Sequence, residues 1–109
     1  VYLNLWNINM KIEGTLPVAL KLLDGQAEIK SKAVVMTQMT AIEYLESQAK
    51  ITQGHYIDIA DLAAMTKLVD EQGAEHVITY EMLGHSSKAN LKYLAELREE
   101  LNAKAEAES

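Results

Sequence analysis

Three histidines are the side chains of this chain best suited to catalysis or metal binding. An imidazole can act as a general base, and it is a common ligand for zinc and other transition metals. His55, His76 and His85 each lie near an expected helix boundary, and none has a His, Asp or Glu partner at the spacing of a metal site. We therefore predict structural or solvent-exposed histidines and no metal ligands.

Two aspartates have the spacing of a carboxylate pair. Asp58 and Asp61 are three residues apart, which places both on one face of a helix. Two carboxyl groups perform acid–base catalysis when they are buried together. These two fall in the first turn of an expected helix, where acidic side chains interact favourably with the helix dipole. We interpret them as helix-start residues, with Asp58 as the cap.

A serine pair follows a histidine, which is a pattern that suggests a nucleophile. Ser86 and Ser87 come directly after His85, but the flanking sequence lacks the strand–turn–helix frame of a nucleophile elbow. Serine is also a preferred residue at helix starts. An enzyme would require His85, Ser87 and an acid to converge in a pocket, and nothing in the sequence indicates that they do. We predict a protein that is not an enzyme, with no catalytic residues and no cofactor.

The composition narrows the classes of protein to which this chain can belong. The 109 residues include no cysteine and carry a net charge of −6, which excludes disulfides, zinc–thiolate sites and cysteine nucleophiles. Residues 40–109 hold six basic and thirteen acidic side chains, so this part repels phosphate backbones and we expect no nucleic-acid partner. No apolar run reaches the ~18 residues of a membrane span, and the first residues lack the features of a signal peptide. A cytoplasmic protein without membrane contact is the expectation.

The first half of the chain carries a β-hairpin signal. Residues 18–32 read as strand, turn and strand, with Asp24 and Gly25 as the central residues of a type I′ turn. That register places Lys21 directly opposite Glu28, a favourable cross-strand charge pair. One face of the hairpin is then apolar and the other is polar and solvent-exposed. Because a lone hairpin is marginal in water, it must pack on helices or join another sheet.

The rest of the chain reads as helices. Thr40 and Glu43 form a capping box for a first helix that ends near Lys50. Its apolar stripe consists of Ile42, Leu45 and Ala49. A second helix is predicted over residues 59–72, with Gly73 just past its end. Thr79 is the predicted cap of a short third helix that ends at Gly84. Ser86 or Ser87 is the predicted cap of the last helix.

The resulting fold class is α+β and mainly helical, with an N-terminal β-hairpin followed by three to four α-helices. Residues 10–103 form the single predicted domain. Residues 1–9 precede Met10 and are interpreted as a possible leader or non-native extension. Residues 104–109 are expected to be a frayed C-terminal tail, because they have nothing large to bury.

The last helix carries a leucine seam, and methionines occur on the second and third helices. Such side chains either fill the core or form an adaptable binding surface. The sequence leaves both interpretations open. The candidate partner-binding residues are Leu91, Leu94, Leu97, Leu101, Met65 and Met82.

Four stretches together resemble the small tail assembly chaperones of Mu-like and related tailed phages and prophages. They span roughly residues 16–101, and Asn90 stands where that family often has an acidic residue. The four stretches are the hairpin with its Asp24-Gly25 turn, residues 35–46, the helix over 59–69 with the following 77–79 and 82–83, and residues 90–94.

The resemblance implies a non-enzymatic chaperone in the bacterial host cytoplasm. Such proteins coat the long, hydrophobic, helical tape measure protein and recruit tail tube subunits before the tail polymerises. Members are often made in a short and a frameshift-extended form, and this chain would be the short form or its N-terminal part. Expected partners are the tape measure protein, tail tube subunits and further copies of the chain. The alternative is a small structural phage protein, a tail or head completion component that is retained in the particle.

Overall fold

A computed structural model describes residues 10–108 of the chain, so the predicted leader at 1–9 lies outside the described residues. Within them, a four-stranded antiparallel sheet is combined with four helices, and the sheet order follows the chain order. In sequence the elements are β1 (Lys11–Asp24), β2 (Ala27–Thr37), α1 (Ala41–Ala49), α2 (Ile57–Met65), β3 (Thr66–Val69), β4 (Glu75–Val77), α3 (Tyr80–Gly84) and α4 (Lys88–Glu108).

The predicted hairpin is confirmed, but its register and turn type were wrong. Asp24 pairs with Ala27, so Gly25 and Gln26 are the central turn residues. Gly25 has φ +66°, whereas φ of Gln26 is not positive. A glycine at the first central position with a following residue at negative φ is typical of a type II′ turn.

The corrected register changes the charge pairing on the solvent-exposed face of the hairpin. Lys21 lies opposite Lys30, and Glu28 is its diagonal neighbour, with Lys21 Nζ 4.0 Å from Glu28 Oε1. Both side chains of this ion pair are mostly exposed. The pair therefore contributes at most about 1 kcal/mol.

β1 contains a large bulge at its only proline. Thr15 pairs with Ala33 and Leu20 with Ser31, so four residues of β1 oppose the single residue Lys32. Pro17 stands among the four and has no N–H for a ladder hydrogen bond. The bulge is held by α4 instead, through hydrogen bonds from two of its side chains.

The middle of the chain contains two strands that the sequence interpretation missed. The predicted helix over 59–72 was wrong in its second half, because α2 ends at Met65 and Thr66–Val69 forms β3. In β3, Thr66 and Leu68 are fully buried opposite Met36 and Val34 of β2. The apolar residues of this stretch have the spacing of a helix, but burial of their side chains against β2 favours a strand.

The turn between β3 and β4 contains the glycine that had been expected to end a helix. Gly73 has φ +84°, and the N–H of Gly73 donates to the carbonyl of Asp70 at 3.0 Å. It is therefore a turn residue of a short hairpin. The α+β class is confirmed, while the layout of a hairpin followed only by helices is incomplete.

Three of the four helices begin at a predicted capping residue whose side chain accepts a hydrogen bond from the first turn. Thr40 and Glu43 form the predicted capping box of α1, and Thr79 accepts a hydrogen bond from the N–H of Met82 at the start of α3. Ser87 Oγ accepts from the N–H of Ala89 at the start of α4. Asp58 does not cap α2, whose cap position is Tyr56 without a side-chain hydrogen bond.

The core lies where α4 and α2 pack against one face of the sheet. α4 makes its most extensive contacts with β1. Helical structure continues to Glu108, and the fraying of residues 104–109 stays a prediction. The buried apolar residues of this cluster are Leu16, Leu20, Val34, Met36, Leu62, Ala63, Met65, Leu68, Ile78, Leu83, Leu94, Leu97 and Leu101. No helix within residues 10–108 is long and apolar enough to cross a lipid bilayer.

Candidate functional site

α1 presents its apolar stripe to solvent. None of residues 41–49, all of which the structure describes, is buried. Ile42 is 70% and Leu45 64% exposed. An amphipathic helix normally turns such a stripe towards its own core, so the direction of this one is the unusual feature of the fold. We call Ile42, Tyr44 and Leu45 the α1 surface.

A polar contact fixes this orientation of α1. Gln48 Nε2 donates to Asp61 Oδ1 on α2 at 2.7 Å. Residue 48 faces α2, and residues 42 and 49 lie about 100° or more around the helix from it. Leu45, three positions before Gln48, lies beside it and is still 64% exposed. The sequence pattern identified the stripe but could not show which side of α1 meets the domain.

The aspartate pair of α2 performs two separate tasks. Asp61 is partly buried, and this burial raises its pKa above the ordinary value, although the charge of Arg98 opposes the shift. Asp58 is mostly exposed, with Oδ1 3.7 Å from Arg98 Nη2 of α4. The two carboxylates therefore connect α2 to its neighbours on α1 and α4.

A groove runs along the side of α1 that faces α2 and α3. Its volume is about 390 Å³, within the ~300–1,000 Å³ range of ordinary ligand pockets. Small side chains of α2 form part of its lining, while α1 contributes acidic and polar ones. We call it the α1–α2 groove; its lining residues are Glu43, Glu46, Ser47, Lys50, Ile51, His55, Ala60, Ala63, Ala64, Ile78 and Tyr80.

His55 lies in the wall of this groove. Its ring stacks on that of Tyr80, with centroids 3.9 Å apart and planes 12° apart. The hydroxyl of Tyr80 accepts a hydrogen bond from the N–H of Tyr56 at 2.8 Å. These contacts hold the α1–α2 loop against the start of α3 and give the groove a flat aromatic wall.

His76 has an acidic partner that the sequence interpretation missed. His76 Nε2 and Asp70 Oδ2 are 2.8 Å apart, and both side chains are largely buried. Asp70 Oδ1 also accepts from the N–H groups of Gln72 and Ala74. The hydrogen bond to His76 and those to the backbone hold the pKa of Asp70 below its ordinary value. The arrangement stabilises the β3–β4 turn.

His85 is the residue that ends α3. Among residues 10–108 there is no group of three or more His, Cys, Asp or Glu side chains that could hold a metal ion.

The candidate partner-binding residues lie mostly inside the domain. Leu94, Leu97, Leu101 and Met65 are buried core residues, and Leu91 and Met82 pack against the core while partly buried. A partner would reach the leucine seam only if α4 left the sheet. Their role in partner binding stays a prediction, and the structure offers the α1 surface as the accessible apolar alternative.

Comparisons with protein-family models, curated proteins and solved structures find no match to this chain.

Proposed function

We propose that this chain is a non-enzymatic tail assembly chaperone of a phage or prophage, which binds the tape measure protein during tail morphogenesis. The observation that supports the proposal is the α1 surface: a helix that adds nothing to its own core and presents isoleucine and leucine to solvent. A helix used in this way is typical of a binding element rather than of a structural one.

The energetics of a short helix favour a covering partner. Isolated helices of fewer than ~12 residues are marginal in water, and α1 has nine. Its capping box and the bond from Gln48 to Asp61 support it. Burial of Ile42 and Leu45 by a partner would contribute about 1.5–3 kcal/mol for each side chain.

The chemistry of the proposed client matches this surface. The resemblance implies a client that is long, helical and hydrophobic, and such a chain exposes apolar stripes until the tail assembles around it. The net charge of −6 on each bound copy would keep coated clients apart by mutual repulsion.

A second candidate is a small structural component that is retained in the particle. The outer edge of β1 has no strand partner within residues 10–108, and Leu23 near its end is 73% exposed. Exposed strand edges readily pair with other chains. A permanent assembly through this edge would use a different surface from that of the chaperone.

Co-expression with the tape measure protein of the same genetic element separates the two candidates. The chaperone proposal predicts a soluble complex with many copies per client, and absence of the chain from finished particles. It also predicts that Leu45→Gln weakens the complex while Leu23→Gln does not. A chain that binds no tape measure protein and is found in mature particles would contradict it.

A further inference from the structure

We propose that the α1–α2 groove binds an amphipathic α-helix of another protein that carries a lysine or arginine beside its apolar stripe. This inference rests on the proposed function and adds a second contact region beside the α1 surface. The chemistry of the groove walls leads to it.

The shape of the groove suits a helix. Ala60, Ala63 and Ala64 recur at helical spacing on α2 and line it, so the backbone of α2 is covered only by methyl groups there. Small side chains allow close approach of a second helix. The nine residues of α1 span about 13 Å, which is room for two to three turns of a bound helix.

The apolar contacts continue from the groove onto its outer wall. Ile51 and Ile78 line the groove, and Ile42, one turn before Glu46, stands exposed at its rim. Leu45 lies on the far side of α1 from Glu43 and Ser47 and does not border the groove. A helix seated in the groove would place one apolar row inside and a neighbouring residue against Ile42. Apolar residues at i, i+3, i+4 and i+7 provide such rows.

The charge of the wall selects the occupant. Glu43 and Glu46 lie on α1 along the groove, and Lys50 follows at its C-terminal end. A basic residue of the partner would meet Glu46, which lies between Glu43 and Lys50 along the groove. A second copy of this chain fits poorly, because a symmetric pair would bring two acidic α1 walls together in a protein of charge −6.

A pair of synthetic peptides provides the test on the full chain. Both would be amphipathic helices of about 18 residues (five turns) with one leucine stripe, one flanked by lysines and the other by glutamates. Fluorescence anisotropy would measure their binding. The lysine peptide is expected to bind at least about tenfold more tightly, the equivalent of about 1.4 kcal/mol.

Two matched pairs of variants locate the binding. Ala64→Leu fills the groove and is expected to weaken binding of the lysine peptide about tenfold, whereas Ala103→Leu on exposed α4 should leave it unchanged. Glu46→Lys should weaken binding of the lysine peptide and strengthen binding of the glutamate peptide. Glu99→Lys makes the same change of net charge and should change both affinities much less. Equal effects within each pair would overturn the groove assignment.

The full-length tape measure protein then separates failure of this inference from failure of the proposed function. If wild-type chain and Ala64→Leu retain that protein equally, the groove assignment is wrong and the chaperone function stands. If the wild-type chain does not retain it, the chaperone function is wrong, whatever the peptides show. Self-association of the chain that Ala64→Leu abolishes, without peptide binding, would identify a second copy as the occupant and also overturn the inference.

Discussion

The side chain of Asn90 forms a two-point hydrogen-bonded contact with the backbone of Val18. Its Oδ1 accepts from the Val18 N–H at 3.0 Å, and its Nδ2 donates to the Val18 carbonyl at 2.9 Å. Asn90 is fully buried, and the contact replaces the ladder bonds that the bulge removes from β1. Only an amide side chain offers one donor and one acceptor in this arrangement.

Asn90→Asp is therefore expected to destabilise the domain by about 2–4 kcal/mol, because a buried carboxylate cannot donate to the Val18 carbonyl. Urea unfolding followed by circular dichroism would measure the change. Asn102→Asp on the exposed part of α4 is the matched control and should change stability by less than about 0.5 kcal/mol. Similar unfolding midpoints for both variants would show that the contact does not hold the bulge.

Gly14 is required by the close approach of α4 to β1. A Cβ at this position would lie 2.5 Å from Tyr93 Oη and 3.0 Å from Leu97 Cδ2. Tyr93 Oη also accepts the N–H of Thr15 at 3.0 Å, so the ring cannot move without loss of a hydrogen bond. Gly14→Ala is expected to cost about 1–3 kcal/mol in the free energy of unfolding.

The control for this substitution is Gly84→Ala. A Cβ on Gly84 would meet its nearest neighbour, Tyr80, at an ordinary 3.8 Å. Thermal unfolding should therefore show little change or a small gain for Gly84→Ala. Equal losses for the two variants would indicate a general effect of alanine rather than the contact with Tyr93.

The lowered pKa of Asp70 predicts a pH dependence of stability. Because the folded-state pKa lies below the ordinary value, the contribution of Asp70 is complete above the unfolded pKa near 3.9 and disappears as pH falls through the folded pKa. Wild type should therefore lose stability relative to Asp70→Asn as the pH falls below about 5. Urea midpoints across this range would show it, with Glu71→Gln as the exposed neighbouring control. Parallel curves for wild type and Asp70→Asn would contradict the prediction.

The α1 surface and the leucine seam should respond differently to truncation. Ile42→Ser and Leu45→Ser are expected to change the free energy of unfolding by less than about 0.5 kcal/mol, because both side chains are already exposed. Leu94→Ala should cost about 2–5 kcal/mol, because the side chain is fully buried. Chemical unfolding of the three variants measures both. A large loss for Leu45→Ser would mean that α1 contributes to the core.

Local signals in the sequence predicted the parts of the fold that local contacts determine. The capping box at Thr40, the cap at Thr79 and the turn at Gly25 depend on residues within three positions of one another, and each is present. The register of the hairpin was wrong because Gly25 suits either central position of a turn. The pairing of the two whole strands, including the bulge, determines which turn position Gly25 occupies.

The missed features depend on distant contacts. β3 continues the helical apolar pattern of α2, and only its pairing with Val34–Met36 of β2 makes it a strand. The orientation of α1 that leaves Ile42 and Leu45 exposed includes a bond between Gln48 and Asp61, thirteen residues apart. No pattern within α1 distinguishes a stripe that packs on its own domain from one that faces a partner.

Hydrogen exchange of the chain with and without its co-expressed tape measure protein tests the central claim most directly. The account predicts slower exchange in residues 41–49 and 57–65 of the complex, with little change at the outer edge of β1. That protection should be lost in the complex of Leu45→Gln. Protection confined to β1 or α4, with α1 exchanging as in the free chain, would contradict the account.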